Sequence, residues 1–366
     1  MKIGTCKSIK GKLTKGKLIL GRISKNQNYE IPIMIAEGKK EGKTIFICSG
    51  IHGNEINGIE TVNRFIKKLN INRLKGTIIF LPILNPYGFN KRIRYIPFDN
   101  KDLNRSFSSK KKTISNKIAD NLMKEIVSKC DLGIDVHDGQ YNVLLPHPRV
   151  PKNKKEEFCF ELGKVFGTEI IMRREAKQGM LALESFRKHK VHVLTVEVGG
   201  AMRLYDKYID EAIVGIKNIL IYNDMLNGMI RVPLRQFFLD DRHGYISKVE
   251  GILDLKVSLG NNVKKGQLLA TVYNPLKDST KEVKAEHSGF VFSTRMNDKV
   301  DKGDNILSIM HFEGRKNFIP LDAEIISLGD LEEIKNIVLI PPKLLFNFFR
   351  FINPYTRMKE FTKFLR

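Results

Sequence analysis

Thr44-Ile45-Phe46-Ile47-Cys48-Ser49 runs directly into Gly50-Ile51-His52-Gly53-Asn54-Glu55. The first six residues form a continuous apolar run of the length expected for a strand buried on both faces. From Glu55 to Leu69 the period changes. Ile56, Ile59, Val62, Ile66 and Leu69 recur at three- and four-residue steps, the single apolar stripe of a surface helix. Strand, glycine-flanked turn and helix make one α/β unit, and the unit recurs. Thr77 to Leu84 predicts a second buried strand, stopped by the turn Asn85-Pro86-Tyr87-Gly88. Thr113 to Cys130 predicts a helix and Leu132 to His137 a strand. Lys154 to Phe166 and Met180 to Lys190 predict helices, Val191 to Val198 a strand ended by Gly199-Gly200, and Tyr205 to Leu226 a long helix. Such alternation predicts a sheet covered by helices on both faces, with ligands gathering where strands end.

The pattern shifts near His243 to short strands with glycine turns. Val263-Lys264-Lys265-Gly266, followed by Leu269 and Val272, repeats as Val300-Asp301-Lys302-Gly303, followed by Ile306 and Ile309. A repeated strand–turn–strand unit predicts a small all-β module with internal pseudo-symmetry. It resembles the barrel-sandwich fold of biotinyl and lipoyl carriers. Those present a lysine in an M-K-M-like hairpin, and here the corresponding stretch is Asp278-Ser279-Thr280-Lys281-Glu282-Val283. The module is therefore read as structural. The expected organisation is residues 1–235, 240–312 and an extension at 313–366. In that extension Leu344, Leu345, Phe346, Phe348, Phe349, Phe351 and Ile352 are expected to pack on their own domain.

Lys and Arg number 63 against 40 Asp and Glu, a formal net charge of +23. Such a field attracts anions. The longest basic run is Lys110-Lys111-Lys112, with no aromatic interleaving of the single-strand-binding kind, so solvated surface is favoured over nucleic-acid binding. A basic nucleic-acid-binding protein without activity is the alternative of another class. Four dispersed cysteines, no apolar run near 18 residues and no apolar leader predict a reduced, cytoplasmic protein without a membrane span.

Three predicted strand ends carry polar residues. His52 and Glu55 open a helix three residues apart, a spacing at which an imidazole and a carboxylate can share a zinc ion. His137 ends the strand Leu132-Gly133-Ile134-Asp135-Val136-His137 and supplies a candidate third ligand. Glu197 stands in Val193-Leu194-Thr195-Val196-Glu197-Val198, among apolar neighbours. A buried glutamate suits proton transfer, since burial raises a carboxyl pKa. Arg94 and the loop Asp102-Leu103-Asn104-Arg105 add forks for a carboxylate or an oxyanion.

Taken in order, H-x-x-E, N-P-x-G, R-Y, D-x-N-R, D-x-H and T-x-E-x-G resemble the zinc carboxypeptidase superfamily, and more closely its succinylglutamate desuccinylase/aspartoacylase branch. The resemblance runs from about Gly50 to Gly200 and more loosely to residue 310. It implies a carboxypeptidase-like mixed sheet flanked by helices. It also implies one Zn2+ per chain on His52, Glu55 and His137, and a substrate that is a small anionic N-acyl amino acid. Glu197 would be general base and then acid, and Arg94 would stabilise the oxyanion. Asn104 and Arg105, with Arg187 ten residues before Glu197, would hold a substrate carboxylate, and Asp102 would orient His52. Asp138 stands where the family more often has Asn. The runner-up activity is that of a zinc carboxypeptidase on a small peptide. A homo-oligomer is compatible with the sequence.

Overall fold

The computed structural model describes residues 1–108, 112–139, 141–151, 157–200, 202–233, 236–239, 242–296, 298–311, 337–340 and 342. Lys110, Lys111 and the apolar-basic tail from Leu344 onward lie outside the described residues.

A nine-stranded mixed sheet forms the centre. Its strands are β1 (Lys12–Ser24), β2 (Gln27–Glu37), β3 (Lys40–Ser49), β4 (Lys75–Leu81), β5 (Leu132–Gly139), β6 (His147–Val150), β7 (Ile170–Arg173), β8 (His192–Gly200) and β9 (Phe237–Leu239). Across the sheet they run β9-β7-β6-β8-β5-β3-β4-β2-β1. The inner strands β8, β5, β3 and β4 are mutually parallel, as the strand–helix alternation requires. The expected apolar strands are the middle of the sheet. The four outer strands β1, β2, β6 and β7 and the short β9 are additions to the expectation. β1 and β2 form a long antiparallel hairpin from the Lys- and Gly-rich start of the chain.

The helices are α1 (Ile56–Lys68), α2 (Pro86–Asn90), α3 (Ile114–Glu125), α4 (Glu157–Phe166), α5 (Leu181–His189) and α6 (Asp206–Tyr222). Alternate residues of each inner strand divide between two cores. Ile45, Ile47, Ile134, Val136, Leu194 and Val196 pack with residues of α1, α4 and α6. Phe46, Cys48, Ile79 and Val193 pack with Ile118 and Leu122 of α3 and Leu181 of α5. By the same alternation Asp135, His137, Thr195 and Glu197 point to the α3–α5 side. The expected turn at Asn85-Pro86-Tyr87-Gly88 is instead the start of α2. Asn85 Oδ1 accepts the Gly88 N–H at 2.8 Å, and Pro86 sits where its missing donor costs nothing.

The C-terminal β region consists of two facing sheets around one apolar core that includes Leu253, Val263, Leu269, Val272, Val300, Ile306 and Ile309. The repeated sequence is a repeated structure: Gly266 (φ +84) and Gly303 (φ +94) occupy matching left-handed turns. Lys281 lies inside a strand, paired with Val272, not at a hairpin tip. The module is tied to the large sheet. Asn142–Val143 adds a strand to its Gly289–Thr294, and Val143, Leu144, Ile170, Met172 and Leu239 share a core with Phe290, Phe292 and Met310. Ile337–Ile340 pairs with Ile230–Pro233. Among the described residues, no helix is long and apolar enough to cross a membrane.

Candidate active site

Three neighbouring parallel strands, β3, β5 and β8, deliver their C-terminal ends to one place. His137 and Glu197 are directly opposed residues of β5 and β8. The loop after β3 brings His52 and Glu55 over the same edge. It can do so because Gly53 lies against the backbone of α2, where a Cβ would stand 2.1 Å from the Gly88 carbonyl carbon. His52, Glu55 and His137 are all buried, and their ligand atoms lie within 4.8 Å of one another.

The hydrogen bonds define what this cluster can hold. His52 Nε2 is 3.0 Å from Asp102 Oδ1, and His137 Nε2 is 2.7 Å from Asp135 Oδ2. A carboxylate accepts, so Nε2 of each ring carries a proton and Nδ1 of the neutral ring carries the lone pair. Both Nδ1 atoms face Glu55: His52 Nδ1 is 2.5 Å from Oε1 and His137 Nδ1 is 3.0 Å from Oε2. At such distances a positive charge must lie among these atoms, either a proton on Nδ1 or a metal ion in its place. Burial disfavours charge on both groups, yet Asp135 and Glu55 together raise His137 well above the usual histidine range, and His52 and His137 lower Glu55. Two imidazole nitrogens and one carboxylate, oriented by further carboxylates, are the donor chemistry of a catalytic zinc site. The residues present therefore fit the metal that the sequence reading expects.

The structure brings Asp102, Arg94 and Asn104 to this cluster, places Arg105 beside Asn104 and leaves one expected residue apart. Asp102 receives His52 through Oδ1 and Arg94 through Oδ2, the latter at 3.0 Å from Nη2. Arg94 Nη1 is also 3.5 Å from Glu55 Oε1. Asn104 is buried, with Oδ1 accepting the Leu181 N–H at the start of α5 at 2.9 Å and Nδ2 3.5 Å from His137 Nε2. Arg105 is exposed, and its Nη1 donates to the Asn104 carbonyl at 2.6 Å. Arg187 departs from the expectation. It projects from the outer side of α5, with its side chain 55% exposed and Nη1 3.5 Å from Glu184. Ala182, Leu183 and Phe186 are the α5 residues that line the adjoining cavity. The structure does not bring Arg187 to the other site residues.

Glu197 is 4% exposed and has a partner absent from the sequence reading: Arg149 Nη2 lies 2.8 Å from its Oε1. Arg149 reaches Glu197 because β6 runs antiparallel to β8, with His147 opposite Glu197 and Arg149 opposite Thr195. No local pattern encodes that register. Asp135, also missed, had a local signal, two residues before His137 on the same strand face. Beside these groups a cavity opens between β8 and α5, lined among others by Asn104, Arg149, Arg174, Met180, Phe186 and Thr195.

A model of the succinylglutamate desuccinylase/aspartoacylase catalytic domain matches residues 41–223. The chain is 28% identical over 292 residues to an N-alpha-acetyl-L-2,4-diaminobutyric acid deacetylase of Halomonas elongata, covering 76% of this chain and 85% of that protein. It is 31% identical over 224 residues to a probable aspartoacylase of Prochlorococcus marinus, covering 56% and 70%. Among solved structures it superposes on a succinylglutamate desuccinylase from a Silicibacter species with a TM-score of 0.72, 23% identity and coverage of 85% and 100%. The product-bound ectoine utilization protein EutE of Ruegeria pomeroyi gives 0.72, 24%, 81% and 94%. These two likenesses establish the shared fold.

Proposed function

Because the chain belongs to the succinylglutamate desuccinylase/aspartoacylase family, we propose that it hydrolyses the amide bond of a small N-acylated amino acid, using one zinc ion held by His52, Glu55 and His137. The observation that carries this reading is the orientation of the two histidines. Asp102 and Asp135 occupy their Nε2 atoms, and both Nδ1 atoms converge with Glu55 on one point. When bound there, zinc supplies Lewis acidity toward a water and toward the scissile carbonyl.

The chain's own residues do the rest. Glu197, one strand away from His137, takes the proton of the attacking water and returns it to the departing amine. Arg94, fixed by Asp102, places its guanidinium beside Glu55 to receive the charge that develops on the carbonyl oxygen. Asn104 lines the cavity, and Arg105 stands next to it to draw in a substrate carboxylate. In this reading residues 1–235 form the catalytic domain, 240–312 a supporting module and 313–366 an extension, in a cytoplasmic protein. The relatives, a deacetylase of acetyl-diaminobutyrate and a probable aspartoacylase, support an N-acyl amino acid over a peptide.

Elemental analysis should find about one zinc per chain. The zinc-loaded protein should hydrolyse members of a panel of N-acyl amino acids and leave di- to pentapeptides intact. Glu197→Gln should lower kcat at least about a hundredfold while keeping the metal, since it retains shape and loses the proton-accepting charge. Near-normal turnover by that variant would assign the proton transfer to another group. Peptide cleavage without deacylation would favour a carboxypeptidase.

A further inference from the structure

Glu197 does not stand alone at the end of β8; it is held by Arg149, which the proposed chemistry has not used, and two further arginines stand nearby. Arg149 Nη2 contacts its Oε1 at 2.8 Å, and Arg149 Nε is buried without a hydrogen-bond partner. Arg174 follows β7, anchored by its own N–H donating to the Val150 carbonyl at 2.7 Å, and lines the same cavity as Arg149. Arg242 approaches from the first position of the C-terminal module's strand Arg242–Ile246. Desolvation and the neighbouring guanidiniums hold both Arg174 and Arg242 below the ordinary arginine range, and Glu197 offsets this for each. Arg105 adds to the field at Arg174. The carboxylates placed among these cations are Glu197 and, on the cavity wall, Glu175.

A cavity walled by two guanidiniums, Arg149 and Arg174, with the buried Arg149 Nε to spare, is built for one more anion. The anion must sit close to Glu197, because Arg149 touches both the glutamate and the cavity. We propose that Arg149 and Arg174 form the seat for a carboxylate of the substrate, and that Glu197 occupies part of this seat until the substrate carboxylate displaces it toward His137. The substrate carboxylate thereby enters the cavity between β8 and α5. The exchange couples binding to chemistry. The group that carries the proton is released from its ion pair when the correct anion has arrived, and an amide lacking that anion leaves Glu197 engaged. The proposal rests on the reading of Glu197 as the proton carrier and assigns Arg149 and Arg174 as specificity-determining residues.

Isothermal titration calorimetry on the full-length, zinc-loaded protein reads the seat without turnover. The probes are L-aspartate and L-glutamate, with their diamides as counterparts that lack both carboxylates. Glu197→Gln removes the resident anion, so it should bind the acidic amino acids about tenfold more tightly than wild type, with no gain for the diamides. Adding Arg149→Gln or Arg174→Gln to Glu197→Gln should abolish that gain. Binding by Glu197→Gln that is absent, equal to or weaker than wild type overturns the proposal, as does a gain that survives Arg149→Gln. Hydrolysis of N-acetyl-L-aspartate and N-acetyl-L-glutamate is measured in parallel. If wild type cleaves none of the N-acyl amino acids, the deacylase reading fails, and the calorimetry still decides the seat.

Discussion

Asp102 and Asp135 each choose which nitrogen their histidine offers inward. With Nε2 engaged at 3.0 and 2.7 Å, the rings of His52 and His137 can present only Nδ1 to an ion. Asp135 is the more buried of the pair and also meets the Cys48 thiol at 3.3 Å, which pushes that thiol up beyond the effect of burial. Asp135→Asn should therefore weaken zinc binding about ten- to a hundredfold, the usual effect of losing an orienting carboxylate. Competition with a chromogenic chelator measures it, and unchanged affinity would remove Asp135 from the site. At this scale much was legible in the sequence. His52, Glu55, His137 and Glu197 sit at ends of apolar runs, where a polar residue needs a reason. Arg149 was not legible, because its role depends on a strand register set across the sheet. Arg187 was misread, because a spacing of ten residues from Glu197 does not say which side of α5 it occupies.

The first turn of α1 solves a conflict between capping a helix and facing two histidines. Glu55 is the residue at the N-cap, yet its carboxylate faces the histidines and caps nothing. The buried amides of that turn, which have no partner within the helix, are satisfied instead from β5. Asp138 Oδ2 accepts the Asn57 N–H at 2.7 Å and Oδ1 accepts the Gly58 N–H at 2.7 Å, while Asn57 Nδ2 adds a third donor at 3.0 Å. Burial and the Glu55 charge push the Asp138 carboxyl up, and the Asn57 and Gly58 amides oppose that rise. The residue after His137 thus ties β5 to the first turn of α1 beside the His52–Glu55–His137 cluster. Asp138→Ala should leave these donors buried and unpaired, at about 1–3 kcal/mol of stability by urea unfolding. A variant as stable as wild type but without turnover would make Asp138 a participant in the chemistry. Helices and central strands were readable from period alone. The β1–β2 hairpin was missed: Tyr29, Ile31, Ile33 and Ile35 do alternate in β2, but lysines and glycines interrupt the apolar positions of β1, its partner at the sheet's edge.

The large sheet and the C-terminal module meet around β6, and the seam encloses a histidine. His147 is opposite Glu197 on the backbone, donates Nδ1–H to the Leu145 carbonyl at 3.1 Å, and lies 5.4 Å from the Phe292 ring of the module. The internal repeat near residues 263 and 300 announced the module, but nothing in it announced this contact. The contact forms because Asn142–Val143 extends the module's own sheet. Burial, with Arg149, Arg242 and Arg174 nearby, lowers the His147 pKa to about 3, against the Leu145 carbonyl, which raises it. An unfolded chain returns this ring to an ordinary value near 6.5, so between those limits the unfolded state binds the extra proton. The stability that a neutral His147 contributes is fully present above pH 6.5 and is lost progressively as the pH falls toward 3. One such proton gives a slope approaching about 1.4 kcal/mol per pH unit. Glu55, whose carboxyl His52 and His137 hold down, also costs stability in acid, so the comparison is between wild type and His147→Gln, which keeps a donor for Leu145 and cannot titrate. Unfolding free energies measured from pH 7 to pH 4 should fall more steeply for wild type. Parallel curves for the two proteins would show that His147 escapes the seam before it takes up its proton.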